Sequence, residues 1–163
     1  MTTANMKQKE AIKELKTNEK KWTKLLMDSG WTAFPSVILE RQRALGLDPL
    51  DVNIILHLAT YWWEADNKPF PAKQTLATAI GVHPRTIQRH IARLEKAGLI
   101  TREYRREPGK GNKTNKYHFD GLIKEIAPFA QEKLEERKQK EAEKKARTQR
   151  KKPRLKSIKG GKS

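Results

Sequence analysis

Residues Phe70–Phe119 read FPAKQTLATAIGVHPRTIQRHIARLEKAGLITREYRREPGKGNKTNKYHF, and this stretch decides the fold. Leu76, Ala77 and Ile80 recur at helical spacing, which predicts a helix over about 72–80. Gly81 follows, where a left-handed residue closes a helix cheaply. Pro84 then stands at a first helical position, and Ile87, Ile91 and Leu94 mark the core face of a second helix that Gly98 ends. Leu99 to Arg106 alternates as a strand does, Glu107 to Lys113 is rich in turn residues, and Thr114 to Phe119 returns. Two helices about a tight turn, then a basic hairpin, is the order that sets one helix into a DNA major groove.

The second helix carries the candidate reading residues. With its core side fixed by Ile87, Ile91 and Leu94, about 100° per residue puts Arg85, Arg89, Ala92 and Lys96 on the opposite side. Thr86 and Arg93 flank that side on one edge and Gln88 on the other. Arg pairs bidentately with guanine O6/N7, and Gln with adenine N6/N7. Thr86 and the first-turn amides can take phosphate at the positive helix end, and small Ala92 permits close approach to the groove. His83 either caps this helix or meets phosphate, and Lys73, which opens the preceding one, is a further candidate DNA contact. On the hairpin, Lys110, Lys113 and Lys116 are expected to follow a phosphate backbone, with Arg105 and Arg106 at its base. Each of these sites has a blander reading: a solvated basic helix face, or an ordinary Gly/Lys loop.

Charge distribution supports the same assignment. The chain has 163 residues, a net charge of +17, 34% charged residues and a mean hydropathy of -0.89. Such a surplus favours polyanions through long-range attraction and counterion release, with an anionic membrane surface as the rival to nucleic acid. Residues 133–163 carry 14 Lys/Arg against 4 Asp/Glu, and residues 85–119 carry 10 against 3. The intervals 28–84 and 120–132 each come to -2, so the excess sits on the reading helix, the hairpin and the tail. No apolar run approaches the roughly 18 residues a bilayer span needs, and the N-terminus has no apolar stretch of the kind a secretory signal requires. Cysteine is absent, which removes disulfides and thiolate metal sites and fits a reducing, cytoplasmic setting near the nucleoid.

Outward from the deciding stretch, residues 5–27 show helical spacing at Ile12, Leu15, Glu19, Trp22 and Leu26, with Gly30 as a stop. The stripe suits packing on its own domain or pairing with a second copy. Residues 31–47 hold an extended piece around Phe34–Pro35 and then a brief helix. Asp48 and Pro49 start a further helix, apolar at Leu50, Ile54, Leu58 and Tyr61, that is expected to run to Asn67 and Lys68–Pro69. Phe70–Pro71 is a link or a minimal strand. A last helix passes through Leu122, Ile123, Ile126 and Phe129, with Pro128 expected to interrupt or restart it. Pairs such as Glu136–Lys140 and Glu141–Lys145 support helix beyond it, and residues 151–163 read as disordered.

Other site chemistry is sparse. The histidines His57, His83, His90 and His118 make no metal-site spacing with a neighbouring carboxylate. No Gly-x-Ser-x-Gly, Rossmann glycine pattern, phosphate-binding Gly-x4-Gly-Lys loop or His-Glu-x-x-His occurs. We therefore expect no catalytic residues, metal or cofactor. Trp22, Trp31, Trp62 and Trp63 are expected in cores or interfaces.

Leu76–Ala77, Gly81, Arg85–Thr86, Leu94–Glu95 and Gly98–Leu99–Ile100 together resemble the winged helix-turn-helix of bacterial regulators and of plasmid or phage replication-initiator-like proteins. Asn115-x-Tyr117 resembles the return strand of the wing, and Trp31 to Leu39 resembles the extended lead-in of the replication-associated branch. His83 departs from the pattern, which usually has Ser as the cap. The resemblance covers about residues 31–120. It implies a mainly α fold with a small β-hairpin wing (α+β), and duplex DNA as partner. The expected organisation is an N-terminal helix over 1–30 that can serve a homodimer, a winged helix-turn-helix over 31–130, and a basic helical or disordered tail over 131–163. The expected function is sequence-specific binding of double-stranded DNA, as a transcriptional regulator or as a replication or partition factor. The alternatives are an RNA-binding or ribosome-associated basic protein, and a winged helix used for protein contact.

Overall fold

The computed structural model describes residues 3–107 and 111–149. Among these residues, seven helices and one interrupted hairpin follow in chain order: α1 (Thr3–Trp22), α2 (Lys24–Asp28), α3 (Ser36–Glu40), α4 (Pro49–Thr60), α5 (Lys73–Ile80), α6 (Pro84–Lys96), β1 (Thr101–Glu103), β2 (Arg106–Glu107), β3 (Gly111–Asn112), β4 (Lys116–His118) and α7 (Asp120–Thr148). The fold is a winged helix-turn-helix: α5 and α6 form the pair, α4 packs behind both, and the hairpin is the wing.

Local chemistry fixes the central helices. The Asp48 carboxylate accepts from the Asp51 amide at 2.9 Å, and Asp51 accepts from the Asp48 amide at 2.9 Å. This reciprocal box, with Pro49 in the first turn, satisfies two amide donors at the start of α4. His83 Nδ1 accepts from the Arg85 amide at 3.1 Å, so His83 performs the capping that Ser performs in the related pattern. Gly81 sits at φ 79° between α5 and α6, a left-handed conformation that costs glycine little.

Ile54, Ile55 and Leu58 of α4, Leu76 of α5, and Ile87, Ile91 and Leu94 of α6 form a buried centre. Ile100, Tyr117, Phe119, Leu122 and Ile126 close it from the wing and from α7. The joint between α6 and α7 is tight. A Cβ on Gly121 would lie 1.8 Å from the Gly98 carbonyl oxygen, and the Leu122 amide donates to the Leu99 carbonyl at 2.9 Å. Only glycine allows the two backbones to approach so closely.

Several boundaries differ from the sequence expectation. The N-terminal helix breaks at Thr23 (φ 69°) and its second piece ends at Asp28, before Gly30. Leu15, Trp22 and Leu26 are exposed, so these three residues do not pack on the domain. α4 stops at Thr60 rather than near Asn67, because Trp62 leaves the helix to stack on Phe119 with ring centroids 5.3 Å apart. The Phe70–Pro71 link forms no strand; the neighbouring Pro69 carbonyl accepts one hydrogen bond from the Tyr117 amide at 2.9 Å. Pro128 does not interrupt α7, since it stands on an exposed face where water can reach the carbonyl it leaves unpaired. α7 also crosses the expected boundary at 130/131, and Lys133 reaches Glu40 of α3 at 2.6 Å. The reading of 151–163 lies outside the described residues.

Candidate nucleic-acid interface

α6 turns Ile87, Ile91 and Leu94 inward and so presents its other side to solvent. Arg85, Gln88, Arg89, Ala92 and Lys96 are exposed, and Thr86 is half-buried. His83, Pro84, Arg85, Thr86, Gln88, Arg89 and Ala92 line one open concavity of about 810 Å³. The ridge expected from the helical wheel is therefore present and uncovered by the described residues.

Lys73, the first residue of α5, donates from Nζ to Gln88 Oε1 at 3.1 Å. This bond spans the two helices and orients the Gln88 amide. A bidentate contact of Gln88 with adenine has to share Oε1 with Lys73. Arg106 is exposed on β2, Lys113 is exposed at the cleft between wing and α5, and Lys116 is half-buried on β4 opposite Glu103. Lys110 lies outside the described residues, as does the rest of the hairpin tip at 108–110.

Two expected contacts are taken up inside the protein. Arg93 binds Asp48 at 2.6 Å and also pairs with Asp51, so its guanidinium is turned onto the start of α4 and away from the ridge. Arg105 donates to the Thr114 carbonyl at 2.9 Å and its hydroxyl at 3.2 Å, and lies 4.8 Å from the Phe70 ring centroid. It braces the base of the wing.

The Arg93 contact belongs to a cluster that sequence spacing could not show. His90 Nδ1 lies 2.8 Å from Asp51 Oδ1 and 3.7 Å from Asp48 Oδ2, although 39 residues separate His90 from Asp51. Asp51 is fully buried. Asp48, Asp51 and His90 have the donor types of a cation site, and the two carboxylates hold the Arg93 guanidinium. Burial pushes the Asp48 carboxyl up; the Arg93 hydrogen bond and charge, with His90, outweigh it and hold the carboxyl below its ordinary value. The cluster fixes the rotation of α6 against α4, and with it the direction in which Arg85 and Arg89 point.

A second lock joins α6 to the wing. Arg102 Nε donates to Glu95 Oε2 at 2.9 Å, and its terminal nitrogen contacts the same oxygen. The Arg102 hydrogen bond leads the effects that hold Glu95 below the ordinary carboxylate value, and the same pair raises Arg102. Both partners shift in the sense of a stable pair.

Residues 45–100, which span α4 to α6 and about a third of the chain, match the family model described as a helix-turn-helix domain. Among solved structures, the chain is similar to the N-terminal domain of the DnaD protein from Geobacillus kaustophilus HTA426, at 20% identity and a TM-score of 0.51. That likeness covers 73% of this chain and 96% of the other. No curated protein sequence matches the chain. Among the described residues, no helix is long and apolar enough to cross a membrane.

Proposed function

We propose that the protein binds double-stranded DNA sequence-specifically, with α6 in the major groove and the wing along the phosphate backbone. The observation that carries this reading is the open ridge of Arg85, Thr86, Gln88 and Arg89, on a helix whose rotation and wing are both locked by ion pairs. In this arrangement Arg85 and Arg89 read guanine edges, Gln88 reads adenine, and Thr86, Arg106, Lys113 and Lys116 position phosphates. Most of the affinity comes from phosphate and most of the selectivity from the ridge. The chain acts by binding and not by catalysis, within the compartment that holds the DNA.

The role is that of a transcriptional regulator or a replication-initiation factor of a plasmid, phage or mobile element; the lead-in around Phe34–Pro35 favours replication. The division into an N-terminal helix (1–30), a DNA-binding domain (31–130) and a basic tail (131–163), the last two joined without a break by α7, goes with this reading. The exposed Leu15, Trp22 and Leu26 of α1 and α2 support a homodimer. Selection from random duplex DNA tests the proposal. A defined motif is expected, and Arg89→Ala is expected to cost about 1–3 kcal/mol on it and relax one position. Equal binding to all duplexes would refute sequence-specific reading.

A further inference from the structure

The wing contains a bulge that the duplex reading leaves unused. Glu103 pairs with Lys116 and Arg106 pairs with Asn112, so two residues, 104 and 105, stand opposite three, 113–115. An extra residue in one strand breaks the ladder and re-aims nearby side chains. Here Arg105 folds back onto Thr114 and Phe70, whereas Tyr104 is left 69% exposed. The Arg102 guanidinium lies 5.5 Å from the Tyr104 ring centroid and steadies the ring from one side.

Tyr104 borders a cleft of about 830 Å³ between the wing and the start of α5, together with Pro71, Lys73, Arg106, Lys113 and Asn115. That volume lies within the roughly 300–1,000 Å³ of small-ligand sites. An exposed ring, several cations and an amide side chain at one cleft form the equipment of a single-strand site: a π-face for a base and positive charge for its phosphates. A base inside an intact duplex is already stacked and cannot use the ring. Pro84 borders both this cleft and the concavity on α6, so the two sites adjoin.

We propose that the wing cleft takes an unpaired nucleotide of a DNA strand, its base stacked on Tyr104 and the phosphate that joins it to the duplex held by Arg106 and Lys113, next to duplex bound on α6. This rests on the reading of the face as a nucleic-acid interface. The test measures fluorescence anisotropy of the full chain with a blunt duplex, the same duplex bearing an oligo-dT overhang, and free oligo-dT. The overhang is expected to tighten binding about tenfold, the weight of one stacked base. Tyr104→Ala should remove that gain and leave blunt-duplex affinity unchanged, and Tyr104→Phe should retain it. No gain from the overhang, a gain that survives Tyr104→Ala, or an equal loss on blunt duplex would overturn the proposal. Indiscriminate binding of blunt duplexes with a Tyr104-dependent overhang gain would sink only the sequence-specific reading and uphold this one.

Discussion

Arg93→Ala separates a reading residue from a bracing one. In the folded protein the Arg93 guanidinium lies on Asp48 and Asp51, and Asp51 is fully buried. Removing the cation leaves two carboxylates facing each other, supported by His90 and by the reciprocal Asp48 and Asp51 amides. Breaking a fully buried pair costs about 3–5 kcal/mol, and an exposed pair is worth about 0–1. The Arg93 side chain is 48% exposed and keeps much of its water, which places the loss near 2 kcal/mol. For a domain of this size that lowers the melting temperature by about 10 °C. Thermal melting and urea titration of Arg93→Ala read the loss. A double-mutant cycle with Asp48→Ala isolates the pair. Affinity for duplex DNA, measured below the melting range, should change less than for Arg89→Ala. Unchanged melting with a tenfold loss of duplex affinity would show that Arg93 faces DNA and that the bracing argument is wrong.

Three further outcomes follow from other contacts. Gly121→Ala should destabilise by about 1–3 kcal/mol, because the added methyl meets the Gly98 carbonyl oxygen; unaltered melting would show that the α6–α7 joint yields freely. Glu95 has a folded pKa below its ordinary value of 4.5, so its contribution is present above that value and fades as pH falls through the lower folded one. The stability difference between wild type and Glu95→Gln should therefore shrink on acidification, and a difference that grows towards low pH would contradict the Arg102 pairing. Removal of residues 150–163, which hold seven Lys/Arg and no acidic residue, should weaken binding to all duplexes alike and flatten the salt dependence. An identical salt slope would show that the tail stays off phosphate.

The sequence announced the helix-turn-helix well because its signals are local. Asp48–Pro49, Gly81, His83–Pro84 and Gly98 each act within a few residues of themselves, through caps and backbone conformation. Ile87, Ile91 and Leu94 set the buried side of α6, and the exposed ridge followed from them. What the sequence conceals depends on distant partners. Arg93 reads as a flank of the ridge until Asp48, 45 residues away, is brought beneath it. α4 ends early because Phe119, far downstream, captures Trp62. The wing bulge turns on a mismatch of one residue between strands, which alternation alone does not reveal.

α7 is anchored from Gly121, against Gly98, to Lys133, against Glu40. From Lys133 it runs on to Thr148 with every residue exposed and with ion pairs one turn apart, such as Arg137–Glu141 and Lys140–Glu136, along its own surface. At 1.5 Å per residue that is an outrigger of roughly 22 Å. The end of the described helix at Thr148 thus stands out from the Lys133 anchor by a length equal to about six base steps of duplex. Shortening the outrigger by whole turns draws that end in without altering a single charge beyond it.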